Sequence, residues 1–233
     1  MTEATSSAPL GLPDVSDQTV GVLGGTGEQG RGLAFRLASV GQSVIIGSRS
    51  EERARDAARQ LNALVPSTVL RGSDNATCAR DADVVIVAVP WDGHLDLLKS
   101  LTNELAGKVV IDCVNPLGFD KQGAYALSVP EGSAAQQAAE CLPKSTVVGA
   151  FHHISAVLLL DESVESIATD VLVVGDDRTA TDVAQALAGR IPGIRGVYAG
   201  PLRNAHQIEA LTANLISVNR RYKSHSGIRV TDI

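Results

Sequence analysis

Residues 19–49 read TVGVLGGTGEQGRGLAFRLASVGQSVIIGSR, and this stretch decides the fold. The β-branched run at 19–24 predicts a strand that leads into a glycine-rich turn. Apolar residues then recur at helical spacing over 28–40, and Gly41 ends that helix. A second apolar run at 43–47 predicts the next strand. The stretch is therefore typical of a strand–helix–strand unit in a parallel sheet.

The same alternation of strand and helix continues toward the C-terminus. Near-continuous apolar runs at 83–90 and 108–114 indicate strands that are buried on both faces, as parallel strands are. The other predicted strands are 67–70, 146–155 and 171–177, and the other predicted helices are 51–64, 93–105, 179–190 and 202–222. We predict an α/β protein, a Rossmann-type doubly wound parallel sheet with a second, smaller C-terminal domain.

The turn after the first strand carries a recognisable glycine pattern, Gly25-Thr26-Gly27-Glu28-Gln29-Gly30. This GxGxxG pattern stands between a predicted strand and a predicted helix, which is the context that dinucleotide binding requires. Gly25 permits the tight turn, Gly27 lets backbone N–H groups approach a pyrophosphate, and Gly30 allows the helix to pack on the strand. The positive end of the helix would then face the phosphates. We predict a dinucleotide site here.

The end of the second strand indicates which dinucleotide is bound. An NAD-binding site usually has an acidic residue there, whereas this chain has Gly47-Ser48-Arg49 and no acid before Glu51. A guanidinium binds a 2′-phosphate with charge-assisted hydrogen bonds, and a carboxylate would repel it. Arg49 and Arg53 are four residues apart at a helix start, so they share one face, and Ser48 can add a hydroxyl. We predict NADP(H).

Composition and charge exclude several functional classes. The chain has 233 residues, 44% of them hydrophobic and 20% charged, which is ordinary for a globular protein. A net charge of −6 and only 3% aromatic residues argue against nucleic acid as a partner. No apolar run reaches the roughly 18 residues of a membrane span. The three cysteines form no CxxC pair, so we expect no disulfide framework and a cytoplasmic location.

We divide the chain into three parts. Residues 1–18 are rich in Ser, Pro, Thr and Ala and lack the basic and apolar regions of a secretory signal, so we predict a flexible tail. Residues 19–150 are predicted to form the NADP-binding domain. The strand and helix pattern changes after that point, and residues 151–233 are predicted to form the small C-terminal domain.

Two further positions follow predicted strands at the edge where a cofactor would lie. Trp91, the only tryptophan, follows the strand at 83–90 through Pro90 and either lines the crevice or packs at a domain seam. Asn115 follows the strand at 108–114 and has either a turn role or a role near the nicotinamide. The residues alone leave both alternatives open.

The histidines form no recognisable metal motif. His152 and His153 are adjacent at the end of a predicted strand, so only one of them can point into a given cleft. Either could be a ligand-contacting residue or part of the core. We interpret the remaining histidines, His94, His206 and His225, as surface or capping residues, and Glu209 could face either solvent or a domain seam.

A basic cluster lies close to the C-terminus of this acidic chain and comprises Arg220, Arg221, Lys223 and Arg229. Cations at the end of a long helix interact favourably with the helix dipole, which accounts for such a cluster without any ligand. The functional alternative is a binding site for the anionic tail of a ligand. Both interpretations remain open.

Four segments together resemble the coenzyme F420:NADP oxidoreductase family. They are VGVLGGTGEQGRGLAFRLASVGQSVIIGSR (20–49), VAVPW (87–91), AFHHISA (150–156) and GPLRNAHQIEALT (200–212), in the family's order. The resemblance implies reversible hydride transfer between NADP(H) and coenzyme F420, an 8-hydroxy-5-deazaflavin that acts as co-substrate. It also implies a homodimer, and a C-terminal domain that closes over the deazaflavin. The basic cluster would then attract the phosphate and polyglutamate tail of the coenzyme.

The resemblance also implies roles for individual residues. The pyrophosphate loop would be Thr26, Gly27, Glu28 and Gln29, flanked by Gly25 and Gly30, and the 2′-phosphate would be held by Ser48, Arg49 and Arg53. Trp91 and Leu95 would lie near the nicotinamide. The hydride-transfer site would be lined by His152, Ile154 and Ala156, with His152 and Ile154 as the catalytic positioning residues. The family has a single histidine where this chain has two, so His153 is the departure.

Two other functions compete with this one. An NADP-dependent reductase of a small carbonyl or imine generally uses a general acid, for which His152 and His153 are the visible candidates. A non-enzymatic NADP(H) sensor would bind the cofactor without turnover. Hydride exchange between two coenzymes needs alignment rather than a side-chain acid or a metal, and the sequence shows no evident acid–base pair.

Overall fold

The computed structural model describes residues 11–65 and 70–233. The strands are β1 (Thr19–Leu23), β2 (Ser43–Ser48), β3 (Leu70–Asp74), β4 (Val84–Val87), β5 (Val109–Asp112), β6 (Leu117–Asp120), β7 (Gly123–Ala126), β8 (Thr146–Gly149), β9 (Thr169–Val174) and β10 (Ile194–Gly200). The helices are α1 (Glu28–Ser39), α2 (Glu51–Asn62), α3 (Asn75–Asp81), α4 (His94–Ser100), α5 (Ala134–Cys141), α6 (Ala156–Leu160), α7 (Arg178–Arg190) and α8 (Ala205–Tyr222).

Eight strands form one sheet in the order β10-β9-β8-β5-β4-β1-β2-β3. Neighbouring strands from β3 to β8 are parallel, whereas β9 meets β8 antiparallel through the pair Gly149 and Val174. Because β1 lies between β2 and β4, the strand order reverses at its carboxyl end, and ligands of doubly wound sheets bind at such a switch point. The predicted doubly wound α/β fold is confirmed.

Helices cover both faces of the sheet, as the buried apolar strands require. One core contains side chains of α1, α2 and α7 together with alternate residues of the central strands. The other core contains side chains of α3, α4 and α5 and the intervening strand residues. The described residues contain no helix that is long and apolar enough to cross a membrane.

Several predicted boundaries differ from the structure. The strand predicted at 146–155 ends at Gly149, because Phe151 has a left-handed φ of +63°, which no strand accommodates. The helix predicted at 202–222 begins at Ala205 after a short 3₁₀ turn. The strand predicted at 67–70 lies outside the described residues except for Leu70, which starts β3.

The chain beyond residue 151 adds β9 and β10 to the same sheet, and α8 follows them. The division at residue 151 into two domains stays a prediction. Residues 1–10 of the predicted tail lie outside the described range. Toward the C-terminal end of the predicted tail, Val15 is buried, and its carbonyl accepts a hydrogen bond from Gln42 Nε2 at 2.8 Å. This part of the predicted tail therefore packs on the sheet domain.

Candidate functional site

The glycine loop lies at the carboxyl end of β1, and its glycines have different surroundings. A Cβ on Gly30 would lie 2.6 Å from the carbonyl oxygen of Gly24, and one on Gly25 would lie 2.9 Å from that of Val22. These two glycines therefore allow the helix and strands to approach closely. A Cβ on Gly27 would meet only the Gly24 oxygen, at 3.4 Å, and would otherwise point into open space. The fold therefore has room for a side chain at Gly27.

The N-terminus of α1 has unsatisfied donors. Gly27 is the N-cap and supplies no side-chain hydrogen bond, so the first N–H groups of α1 depend on solvent or a ligand. Glu28 and Gln29 occupy the first turn. The Gln29 side chain donates to the Phe151 carbonyl at 3.3 Å, which links this loop to the segment after β8. An anion at this helix end would accept hydrogen bonds from these N–H groups.

The carboxyl end of β2 brings the predicted 2′-phosphate residues together. Ser48 is buried, and its Oγ accepts a hydrogen bond from the Ser50 N–H at 3.3 Å, so its hydroxyl proton remains able to donate. Arg49 and Arg53 are exposed at the start of α2, and neither guanidinium has an ion-pair partner among the described residues. The first acid, Glu51, is paired with Arg55 at 2.6 Å. The arrangement thus presents two cations that have no ion-pair partner among the described residues.

Trp91 begins a short 3₁₀ turn after β4 and is half-buried. Its ring stacks on that of His94, with centroids 5.6 Å apart and 29° between the planes. Leu95, in the first turn of α4, is also half-buried. The structure therefore places both residues just beyond the carboxyl edge of the sheet.

The interpretation of His94 as a surface or capping residue is wrong. His94 is fully buried, its Nε2 lies 2.6 Å from Oδ2 of Asp112, and its Nδ1 lies 3.1 Å from Oε1 of Gln137. Burial opposes the charged form of the ring, but the Asp112 carboxylate outweighs it, so the pKa of His94 is raised. Asp112 ends the neighbouring strand β5 and is 18 residues away in sequence, so no pattern local to His94 indicates the pair.

The segment 150–156 is held by hydrogen bonds that two other parts of the fold donate to its backbone. Phe151 is in the left-handed region and fully buried. The carbonyl of His152 accepts hydrogen bonds from Asn115 Nδ2 at 2.7 Å and from Thr212 Oγ1 at 3.1 Å. The segment therefore contacts the end of β5 and helix α8, in addition to the glycine loop.

Both rings of the histidine pair are buried, in different surroundings. The His152 ring lies beside Gly149, whose added Cβ would be 3.1 Å from its Cε1. His153 Nε2 accepts a hydrogen bond from the Leu172 N–H at 3.4 Å, and the ring lines a cavity of about 210 Å³ together with Ile154. Burial lowers the pKa of both rings to about 4, so both are neutral at pH 7.

Acidification destabilises the fold through these two rings. The unfolded chain takes up protons below about pH 6.5, whereas the folded protein keeps both rings neutral down to about pH 4. The stabilisation is complete above pH 6.5 and is lost as the pH falls toward 4, by about 3 kcal/mol per ring. We expect His152→Gln and His153→Gln each to flatten the fall in unfolding free energy between pH 6.5 and 4, measured by urea denaturation.

Glu209 changes the free energy of unfolding with pH in the opposite direction to the two histidines. Its titration therefore has to be considered when the pH dependence of stability is interpreted. Burial raises its pKa to about 7, although its carboxylate accepts N–H bonds from Ala134 and Ala135. Protonation of Glu209 therefore stabilises the folded protein increasingly as the pH falls from about 7 toward the pKa of this carboxyl group in the unfolded chain. The exposed His206→Gln variant is the matched control. An unchanged slope in both buried variants would contradict the account of the pair.

Helix α6 is fixed against α1 by Arg36. This buried guanidinium donates to the carbonyls at the end of α6 over 2.6–2.8 Å; the acceptors are Leu158, Leu159, Asp161 and Val164. Gly32 lets the two helices touch, since a Cβ there would lie 2.5 Å from Cβ of Leu159. Helix α1, whose N-terminus follows the glycine loop, is thereby tied to the residues that follow Ala156.

Replacing Arg36 by methionine leaves those carbonyls without their donor. We expect the free energy of unfolding to fall by about 3–5 kcal/mol, because charged hydrogen bonds to buried groups are lost. Arg31→Met on the same helix is the control, since Arg31 donates to the exposed Gln60 at 3.1 Å. Urea denaturation measures both variants. A loss below about 1 kcal/mol for Arg36→Met would contradict this role.

The basic cluster separates into two parts. Arg229 and Arg195 donate to the buried carboxylate of Asp170 at 2.7 and 2.6 Å, which holds the last residues of the chain on β9. These bonds outweigh burial and lower the pKa of Asp170 to about 2. Arg229 is thus engaged in a structural ion pair. The other members, Arg220, Arg221 and Lys223, are exposed at the end of α8.

The fold and its glycine loop define the class: this is a Rossmann-type dinucleotide-binding protein. The family model described as NADP oxidoreductase, coenzyme F420-dependent, matches residues 19–116. The chain is 39% identical to the F420-dependent NADP reductase of Methanothermobacter marburgensis and 37% identical to that of Methanocaldococcus jannaschii. Each alignment covers 92% of this chain and 98% of the relative. The chain therefore belongs to the F420-dependent NADP oxidoreductase family.

A solved structure supports the same assignment. A provisionally assigned F420-dependent NADP reductase from Arthrobacter superposes with a TM-score of 0.77 and 25% sequence identity. The match covers 92% of this chain and 99% of that one.

Proposed function

We propose that this protein catalyses the reversible transfer of hydride between NADP(H) and coenzyme F420. The observation that carries the proposal is the family membership over nearly the whole chain, together with the glycine loop at the switch point. That loop is joined through Gln29 to the segment 150–156, in which the resemblance puts the hydride-transfer site. One folded unit therefore connects the two predicted coenzyme sites.

The reaction balances with one proton from solvent and no further reactant. NADPH gives the hydride of nicotinamide C4 to the 5-position of the deazaflavin, and a proton from solvent completes the reduced coenzyme. The protein needs to hold the two rings at near-attack distance, about 3–3.5 Å, and to exclude water. The products are NADP⁺ and reduced F420, and the reverse reaction follows the same path.

We assign the binding roles to residues that the structure brings to one edge of the sheet. The residues of the loop, Gly25, Thr26, Gly27, Glu28, Gln29 and Gly30, would hold the pyrophosphate, and Ser48, Arg49 and Arg53 the 2′-phosphate. Trp91 and Leu95 would contact the nicotinamide half. The deazaflavin would lie against His152, Ile154 and Ala156, with His152 and Ile154 setting its position.

The protonation of the histidine pair favours this function over a carbonyl or imine reductase. A general acid must carry a proton at the working pH. With pKa values of about 4, the rings of His152 and His153 are neutral at pH 7, so one nitrogen of each ring has no proton. An aligned pair of coenzymes requires no such acid, so the buried neutral rings are compatible with it.

The test is a turnover assay with purified protein, NADPH and oxidised F420, followed by the visible absorbance of the deazaflavin. We expect loss of that absorbance with NADPH and little loss with NADH. Parallel reactions offer a small imine and a small aldehyde instead of F420. Turnover of those substrates alone would favour the carbonyl or imine reductase. Tight NADPH binding without any turnover would favour the sensor.

We also propose a cytoplasmic homodimer with the two-domain division at residue 151. The dimer is supported by apolar side chains left exposed on the last half of α8, among them Val218 and Tyr222. Light scattering coupled to gel filtration tests the oligomeric state. A monomer at the concentration of the turnover assay would contradict the dimer and leave the reaction intact.

A further inference from the structure

A buried polar pair connects two parts of the predicted coenzyme site. His94 and Asp112 are both 0% exposed, and the proposed reaction gives neither of them a chemical role. Buried charged groups cost free energy unless they are paired, so a complete pair in this position requires an explanation. Gln137 completes the contacts of the ring, and its amide in turn donates to Glu131 at 3.2 Å.

The histidine of the pair lies toward the predicted nicotinamide site. His94 forms the surface on which the half-buried Trp91 stacks. The ring cannot rotate without breaking its hydrogen bond to Asp112 or the one to Gln137. Trp91 is therefore stacked on a ring whose orientation is fixed from within the core.

The aspartate of the pair lies toward the segment that is predicted to hold the deazaflavin. The second carboxylate oxygen of Asp112 accepts a hydrogen bond from the Val114 N–H at 3.0 Å, which sets the turn after β5. The next residue, Asn115, donates from its side chain to the His152 carbonyl at 2.7 Å. Hydrogen bonds, joined by the peptide link from Val114 to Asn115, thus run from the support of Trp91 to the backbone of the 150–156 segment.

We propose that His94 is a positioning residue for hydride transfer: paired with Asp112, it holds Trp91 and the His152 backbone in a fixed relation and so sets the alignment of the two coenzyme rings. The inference rests on the proposed function and deepens it. Neither residue contacts a reacting atom in this account. Their effect is geometric, and small errors in the alignment of reacting rings reduce rates strongly.

The charges that face His94 come from three elements. Asp112 of β5 is in direct contact, Glu209 of α8 acts at longer range, and Gln137 of α5 has Glu131 behind it. The Asp112 and Glu209 carboxylates and the hydrogen bond to Gln137 all favour the protonated ring. The raised pKa of His94 therefore gives a spectroscopic readout, since a protonated imidazole quenches the emission of an indole stacked on it, and Trp91 is the only tryptophan.

The first test is a pH titration of Trp91 fluorescence in the protein without coenzymes. We expect emission to rise as the pH increases, with a midpoint above the ordinary histidine value of about 6.5. The isosteric Asp112→Asn variant should lower that midpoint by at least about one pH unit, because it removes the charge and keeps the shape. Asp96→Asn on the exposed side of α4 is the matched control. Emission that does not titrate would overturn the inference.

The second test measures single-turnover reduction of F420 by bound NADPH. We expect Asp112→Asn to slow this step at least about tenfold while the KM for NADPH stays within about threefold. His94→Gln should abolish the fluorescence titration and slow the same step, and thermal melting verifies that each variant is folded. An unchanged rate in both folded variants would overturn the inference while the proposed function stands. Absence of F420 reduction by the wild type would remove the function itself.

Discussion

Replacing Arg49 and Arg53 together with alanine raises the KM for NADPH by about 100–1,000-fold and leaves the KM for NADH within about threefold. Charge-assisted hydrogen bonds contribute about 1.5–3 kcal/mol each, and two bonds near the lower end of that range, about 3–4 kcal/mol together, account for the expected increase in KM. NADH lacks the 2′-phosphate, so it loses nothing. The ratio of the two KM values, measured with saturating F420, is the quantity to report.

Helix α2 offers matched controls for this experiment. Arg55 and Arg59 are exposed on the same helix, but each is paired with an acid of its own turn, Glu51 and Asp56 respectively. Arg55→Ala and Arg59→Ala together change the net charge equally, so a general electrostatic effect on an anionic cofactor would appear in both double variants. Equal loss of NADPH affinity in the control variant would contradict the assignment of the 2′-phosphate site.

Replacing Gly27 by alanine raises the Kd for NADPH at least about 100-fold without lowering the melting temperature. The added Cβ meets no atom of the described structure closer than 3.4 Å, so the fold has room for it. It would occupy the space through which the pyrophosphate approaches the backbone N–H groups of the loop. The loss of several hydrogen bonds to a charged group justifies the magnitude.

Two other glycines provide the comparison. Gly30→Ala places a Cβ 2.6 Å from the Gly24 oxygen, so we expect lower stability as well as weaker binding. Gly189→Ala on α7 meets nothing within 4 Å and should stabilise the helix slightly, with NADPH binding unchanged. Isothermal titration and thermal melting are measured on all three variants. Normal NADPH affinity in Gly27→Ala would contradict the role of the loop.

The sequence predicted the dinucleotide half of the molecule well, because its information is local. The strand, glycine turn and helix of residues 19–49 carry their own periodicity and turn chemistry, and the structure contains each of them. The predicted phosphate-binding residues follow from position alone, as they lie at or shortly after the ends of β1 and β2. Local patterns of this kind do not depend on the rest of the fold.

The parts that the sequence missed depend on contacts between distant residues. Nothing near His94 in sequence indicates that Asp112 and Gln137 meet its ring. The end of β8 was predicted too late because Phe151 is left-handed and buried in the core, whereas phenylalanine itself favours a strand. The short helices α3, α5 and α6 and the hairpin β6–β7 have too few residues for a clear period.

Deuterium transfer from NADPH labelled at nicotinamide C4 to F420 is the decisive test of direct hydride transfer between the two coenzymes. Reduced F420 is recovered from a reaction with the matching C4 epimer in ordinary water and analysed by mass spectrometry. The account predicts one deuterium at the 5-position of the deazaflavin, because the two rings are aligned for direct transfer with water excluded. Reduced F420 that carries only solvent hydrogen, with either epimer of the donor, would contradict it.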